Sequence, residues 1–113
     1  MTKMGEIQDL PVLILGYNRL DKLSKCIFTL KKQGIRKLYV SIDGPKNNFD
    51  LKVQKKIINF CSKNTKDLDI KLRNLDRNYG CRNGPIKGIS WFFQENNYGV
   101  ILEDDVIISK KCM

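Results

Sequence analysis

The feature that most constrains this chain is alternation. Short strand-like segments take turns with segments whose apolar residues recur at helical spacing. Val12-Leu-Ile-Leu15, opened by Pro11 and closed by Gly16, is a continuous apolar run that suits a strand buried on both faces. Leu20, Leu23, Ile27 and Leu30 then repeat along one face of a helix, with Asn18 as a candidate cap, Asp21 in the first turn and Gly34 at the C-terminal end. Lys37 to Ile42 is rich in strand formers and ends in the turn signal Asp43-Gly44-Pro45. A second helix is predicted from Leu51 to Asn64, capped by Asp50, with Val53, Ile57, Phe60 and Cys61 on its apolar face. Asp69 to Leu75 alternates polar and apolar residues, as an edge strand does. After a glycine- and asparagine-rich loop, Pro85 is expected at the first position of a third helix. Its apolar face is read as Ile86, Ile89, Phe93 and Phe92. Val100-Ile-Leu102 follows as a fourth strand, and Val106-Ile-Ile108 starts a fifth apolar segment. This β-α-β-α-β-α-β order predicts a parallel sheet with helices on its faces and right-handed crossovers.

With 113 residues, the chain is read as one domain, 1–113. No apolar run approaches the roughly 18 residues of a membrane span, and the N-terminus lacks the apolar core of a signal peptide. The four cysteines have no C-x-x-C pair and the chain has no histidine, which disfavours a zinc site. Free thiols in a reducing cytoplasm are the expected state. The net charge of +9 favours anionic partners: nucleotide phosphate, acidic membrane surface or nucleic acid. No basic tract is interleaved with aromatics, so nucleic acid is disfavoured, and solvated lysine faces are the ordinary explanation of the excess.

The candidate site lies where the fourth strand ends. Val100-Ile-Leu102 delivers Glu103, Asp104 and Asp105, and clustered carboxylates at a buried strand end must stay solvated or meet a cation. Two readings stand at this point: an acidic turn, or a divalent metal held on a nucleotide diphosphate. In a parallel sheet the strand ends share one rim, which would bring Arg19, Asp43 and the acidic triplet to one crevice. Asp43 can accept from a base or ribose, Arg19 can meet a carboxylate or base carbonyl, and Gly44 allows close backbone approach. Glu103 and Asp105 would share one side of the extended chain, and Asp104 the other. Each residue also has a plain reading: Arg19 as surface charge, Asp43-Gly44 as turn chemistry, Gly80 and Gly84 as loop shaping, and Trp91 as core.

Four blocks, Pro11-Val-Leu-Ile-Leu-Gly-Tyr-Asn-Arg19, Ser41-Ile-Asp-Gly44, Arg77-Asn-Tyr-Gly-Cys81 and Val100-Ile-Leu-Glu-Asp-Asp105, resemble the N-terminal half of GT-A glycosyltransferases. The closest pattern is that of the N-acetylglucosaminyltransferase I type and its bacterial sugar-nucleotide transferase relatives. The resemblance implies a three-layer α-β-α, Rossmann-like, mostly parallel sheet, cut after about the fourth or fifth strand. It implies a nucleotide-sugar donor, commonly UDP-linked, and a glycan or other acceptor that the sequence does not identify. Arg19 and Asp43 match positions that contact the base. Glu103-Asp104-Asp105 matches the D-x-D motif, which implies that Asp105 should ligate Mn²⁺ or Mg²⁺ and that Glu103 and Asp104 would face the ribose, the donor sugar or a bound water. Arg82 and Lys87 match loosely the segment that closes the donor site. The chain ends at Met113, before the part that supplies the acceptor site and catalytic base in such enzymes, so the expectation is a donor-binding half with no identifiable base. The rival reading is a non-catalytic nucleotide-binding or interaction module, or an inactive remnant, able to associate through an exposed sheet edge. A phosphoacceptor receiver is rejected because its acidic pair closes the first strand. A P-loop and a dinucleotide fingerprint are both absent.

Overall fold

The computed structural model describes residues 9–17, 19–63 and 68–103. Four strands and three helices alternate: β1 (Pro11–Gly16), α1 (Leu20–Lys32), β2 (Lys37–Ile42), α2 (Asn48–Lys63), β3 (Asp69–Asn74), α3 (Gly80–Glu95) and β4 (Val100–Glu103). The protein is an α/β domain with one all-parallel sheet in the order β3-β2-β1-β4. The expected fifth segment, Val106–Ile108, lies outside the described residues, as do Asn18, Asp104 and Asp105.

The strand order follows from chain direction. The chain steps β1 to β2 to β3 one way, then doubles back past β1 to lay down β4. A right-handed crossover carries its helix to one face when stepping one way and to the opposite face when stepping back. Accordingly α1 and α2 share one face, burying Leu23, Ile27, Leu30, Ile57 and Cys61 against Val12, Ile14, Leu38, Val40 and Ile42. α3 lies on the other face, where Phe92 packs on Leu13 and Tyr39, with Leu15, Ile89 and Trp91 around them. Tyr39 meets Trp91 and Phe92 edge-on at ring separations of 5.4 and 5.0 Å. Cys61 sits in the first core, and burial pushes its thiol up to about 11, which makes it a packing residue rather than a nucleophile.

Two helix readings need correction. α2 begins at Asn48 rather than Leu51, and Asp50 is not its cap. Asn47 takes that place, its Oδ1 accepting from the Asp50 N–H at 2.9 Å, which frees the Asp50 carboxylate for other partners. α3 begins at Gly80, so Pro85 stands inside the helix rather than at its first position. Its sheet-facing stripe is also different. Ile86 and Phe93 are exposed, while Gly84, Gly88 and Phe92 face the sheet. The reason is proximity: a Cβ on Gly88 would lie 2.6 Å from Ser41 Oγ and 3.0 Å from Leu15 Cδ2. The helix backbone has closed onto β1 and β2 through glycines four apart, a spacing that hydrophobicity alone does not reveal.

Gly88→Ala should therefore destabilise the protein by about 1–3 kcal/mol through overpacking. Ile86→Ala, at an exposed position, should stay within about 0.5 kcal/mol. Urea unfolding of the two variants checks this, and equal effects would mean that α3 meets the sheet through its apolar stripe instead.

Candidate functional site

Three strand ends reach one rim, as the parallel topology requires. Glu103 closes β4 in register with Leu15, and Leu15 is in register with Ser41 on β2. β1 therefore separates the β4 carboxylate from the β2 exit by two strand spacings, about 10 Å. The reversal of chain direction falls between β1 and β4. This is the topological switch point, where the loop after β1 leaves towards one face while β4 is entered from the other. In open α/β sheets the crevice at such a point is the usual ligand site.

Arg19 lies at the β1 side of this crevice. It is exposed, stands at the cap position of α1 with φ −124° and ψ 82°, and its carbonyl accepts from the Leu23 N–H at 3.0 Å. The Arg19 side chain makes no cap bond to α1, and the expected cap Asn18 lies outside the described residues. Glu103 lies on the β4 side, half-buried, with no hydrogen bond or ion pair among the described residues. Strand alternation puts it on the same sheet face as Ile101, the face that carries α3. Among the described residues no three acidic or thiol groups lie close enough to hold a metal ion.

The Asp43 carboxylate is hydrogen-bonded to backbone at the start of α3. Its Oδ1 accepts from the backbone N–H of Gly44 at 2.8 Å and of Tyr79 at 2.8 Å, and its Oδ2 from Gly80 N–H at 2.9 Å. One carboxylate from the β2 exit thus caps the start of α3. A charged acceptor there satisfies orphan N–H groups and meets the positive end of the helix dipole. Gly80 has φ +92°, a backbone state that suits glycine and turns the chain into the helix under this carboxylate. Gly44 is also committed. It donates to Arg77 O at 3.2 Å and accepts from Asn78 Nδ2 at 2.9 Å. A Cβ there would overlap the Arg77 backbone, so the close approach that Gly44 permits is to another segment of the chain. Arg82 and Lys87 are both exposed on α3, and Lys87 stands 4.5 Å from the Tyr79 ring centre.

A second set of contacts ties β1 to β2 on the α2 side. Gln54 is fully buried, and its Nε2 donates to Tyr17 O at 3.0 Å and Asp43 O at 2.8 Å. The Tyr17 hydroxyl donates to Asp50 Oδ2, which also accepts from Lys46 N–H at 3.1 Å. Burial and the Asp50 carboxylate push the Tyr17 phenol up to about 12. Sequence reading put Tyr17 in a rim loop without giving it a partner, and overlooked Asp50 and Gln54 as rim residues. The signal was present in α2, where positions 50, 54, 57 and 61 fall on one buried stripe. Two of the four are polar, which marks a polar network beneath the rim.

Comparison with protein-family models, with curated proteins and with solved structures finds no match to this chain.

Asp43→Ala leaves the α3 N-terminus without its acceptor and should cost about 0.5–2 kcal/mol, the range for a lost helix cap. Hydrogen exchange should rise first at Tyr79 and Gly80, and unchanged protection there would contradict the clamp. Tyr17 gives a pH signature. Its phenol ionises near 10 when unfolded and near 12 when folded, so the unfolded state releases its proton first. That contribution to stability is complete below pH 10 and is lost as pH rises towards 12. Wild type should accordingly lose stability more steeply than Tyr17→Phe over this window in chemical denaturation.

Proposed function

We propose that this chain binds a nucleoside-diphosphate sugar, UDP-linked, with Mn²⁺ or Mg²⁺ in the crevice between the β1 and β4 strand ends, as the donor-binding domain of a glycosyltransferase. The observation that carries the reading is the switch point. An all-parallel sheet reverses its winding between β1 and β4, and β4 delivers there a half-buried carboxylate with no ion pair among the described residues. The four sequence blocks that resemble GT-A enzymes fall at the first, second and fourth strand exits and at the start of α3.

Carboxylate oxygens are the donors a hard cation takes, so the chemistry of Glu103-Asp104-Asp105 fits Mn²⁺ or Mg²⁺. Asp105 is assigned the metal, and Glu103 and Asp104 the ribose and donor sugar. A bound cation would supply charge neutralisation of the diphosphate. Arg19 is assigned to the base. Asp43 and Gly44 act mainly by shaping the rim, since their polar atoms already hold the β3–α3 connection. The acceptor is a glycan or another hydroxyl compound. No helix among the described residues is long and apolar enough to cross a membrane. The buried, unbridged thiol of Cys61 suits the reducing cytoplasm as the place of action.

Calorimetric titration of UDP with and without Mn²⁺ tests the reading. Binding should require the metal and should weaken by at least about tenfold in Asp105→Ala. Glu103→Gln should weaken it less, because an amide keeps one acceptor oxygen. A folded chain that binds no UDP in the presence of Mn²⁺ would sink the proposal. Release of UDP from a UDP-sugar by the chain would mark an enzyme, whereas tight binding without release would mark a binding module.

A further inference from the structure

The two layers of the protein treat their charges differently. On the α3 side, two strand cations have partners: Lys71 Nζ pairs with Glu95 Oε1 at 2.8 Å, and the Arg73 guanidinium lies 6.0 Å from the Trp91 ring centre. On the other side, α1 and α2 each carry four lysines. Only two acids accompany these eight, Asp21 and Asp50, and Asp50 is buried and bound to Tyr17. Among the described residues none of the eight lysines is in an ion pair. An ordinary solvated helix face interleaves both signs, whereas a field of one sign attracts a partner of the other.

The arrangement on the helices is ordered. The buried stripes are Leu23, Ile27 and Leu30 on α1, and Ile57 and Cys61 with their polar neighbours on α2. Opposite those stripes, at helical spacing, stand Lys25 and Lys32 on α1 and Lys52, Lys56 and Lys63 on α2. Apolar residues fill the seam between the rows. Phe28 and Phe60 meet edge-on across it at 5.7 Å, and Phe28 is still 44% exposed. Phe49, in the first turn of α2, is 69% exposed. Two basic rows therefore flank a seam of accessible aromatic rings.

We propose that the outer face of the α1–α2 layer docks on an anionic lipid surface, the lysines meeting headgroup phosphate and carboxylate while Phe28 and Phe49 enter the headgroup boundary. Charge complementarity selects an anionic partner. The residue types favour lipid over nucleic acid. All eight cations on the two helices are lysine, a point charge on a flexible stem, and none is arginine, whose planar fork reads phosphate bidentately. Lysine stems can lie along apolar surface while their heads stay in the polar zone. A polybasic patch combined with inserted apolar groups supplies the two signals that stable peripheral attachment needs. The layer is also a broad helical face rather than a groove that would grip a strand. Docking through it leaves both the β1–β4 rim and α3 uncovered.

Flotation with phosphatidylcholine vesicles, with and without phosphatidylserine, tests the proposal on the full chain. Binding should require phosphatidylserine and fall as salt rises. Removing two lysines, as in Lys25→Gln/Lys56→Gln, should weaken it by about twenty-five-fold, roughly fivefold for each charge. Lys71→Gln/Arg73→Gln removes the same charge from the opposite layer and should weaken it far less. Phe49→Ser should lower binding without disturbing the fold, because that ring is largely exposed. Equal binding to vesicles without phosphatidylserine would overturn the proposal. So would equal losses in the two double variants, or binding to single-stranded RNA by a protein that ignores the vesicles.

Discussion

The Asp43 carboxylate decides how the two layers meet. It leaves β2 at the rim, reaches under the start of α3 and accepts three backbone N–H groups from Gly44, Tyr79 and Gly80. An acceptor with full negative charge at the positive end of a helix fixes where that helix begins. This is why α3 starts at Gly80 and tolerates Pro85 within it. An interior proline forfeits one helical hydrogen bond and costs about 3 kcal/mol in an unsupported helix. Here the turns around it are held from outside by the Asp43 clamp and from beside by glycine contacts with the sheet. Starting at Pro85 would have left Tyr79 and Gly80 to find other acceptors and Asp43 without its donors.

The same clamp is one of several bonds that tie the rim along β1, β2 and β3. Leu75 N–H donates to Ile42 O at 2.9 Å and Gly44 N–H to Arg77 O, so β2 and β3 remain stitched beyond their strand ends. Asp43 N–H donates to Gly16 O at 3.3 Å, and Gln54 bonds the carbonyls of Tyr17 and Asp43, so β1 and β2 are stitched as well. Among the described residues no comparable bond joins the exits of β1 and β4. The site assignment thus rests on two independent constraints: the reversal of winding there, and the consumption of polar groups elsewhere along the rim.

β1 and β2 were legible because burial on both faces leaves a plain trace, whereas β4, expected to be buried, is an edge strand with Val100 and Ile101 exposed. Val12, Leu13 and Ile14 are all buried, and so are Leu38 to Ile42, which is why an unbroken apolar run marked β1 and a run of strand formers marked β2. α1 was legible for a related reason: its one buried stripe is entirely apolar. α2 and α3 were only partly so, because the stripes that matter hold Asp50 and Gln54 in one helix and Gly84 and Gly88 in the other. A scale that equates interior with hydrophobic passes over both kinds of residue. At the site, sequence position correctly sent Arg19, Asp43 and Glu103 to one rim, since parallel topology alone demands that. It did not reveal that Asp43 and Gly44 spend their polar atoms on the β3–α3 connection, because the partner is backbone at Tyr79 and Gly80, and backbone donors carry no sequence signature.

Topology also relates the two proposed surfaces. Helices of a parallel α/β sheet run against the strands, so the rim that carries the strand C-termini also carries the N-termini of α1 and α2. Phe49 and Lys46, beside the α2 start, therefore sit at the rim end of the lysine-bearing layer, at the β2 exit. A flat anionic surface against α1 and α2 would lie alongside the crevice rather than across its mouth. The β1–β4 opening would face sideways along the headgroup plane, reachable from water for a nucleotide and adjacent to the membrane for an acceptor. The lysine field and the switch point share no residue on which both depend. Charge removal from Lys25 and Lys56 would act on the first through long-range attraction, whereas loss of Asp105 would act on the proposed metal site through a local bond. The two can therefore fail separately, and a chain that kept either one would still fold around the same Asp43 clamp.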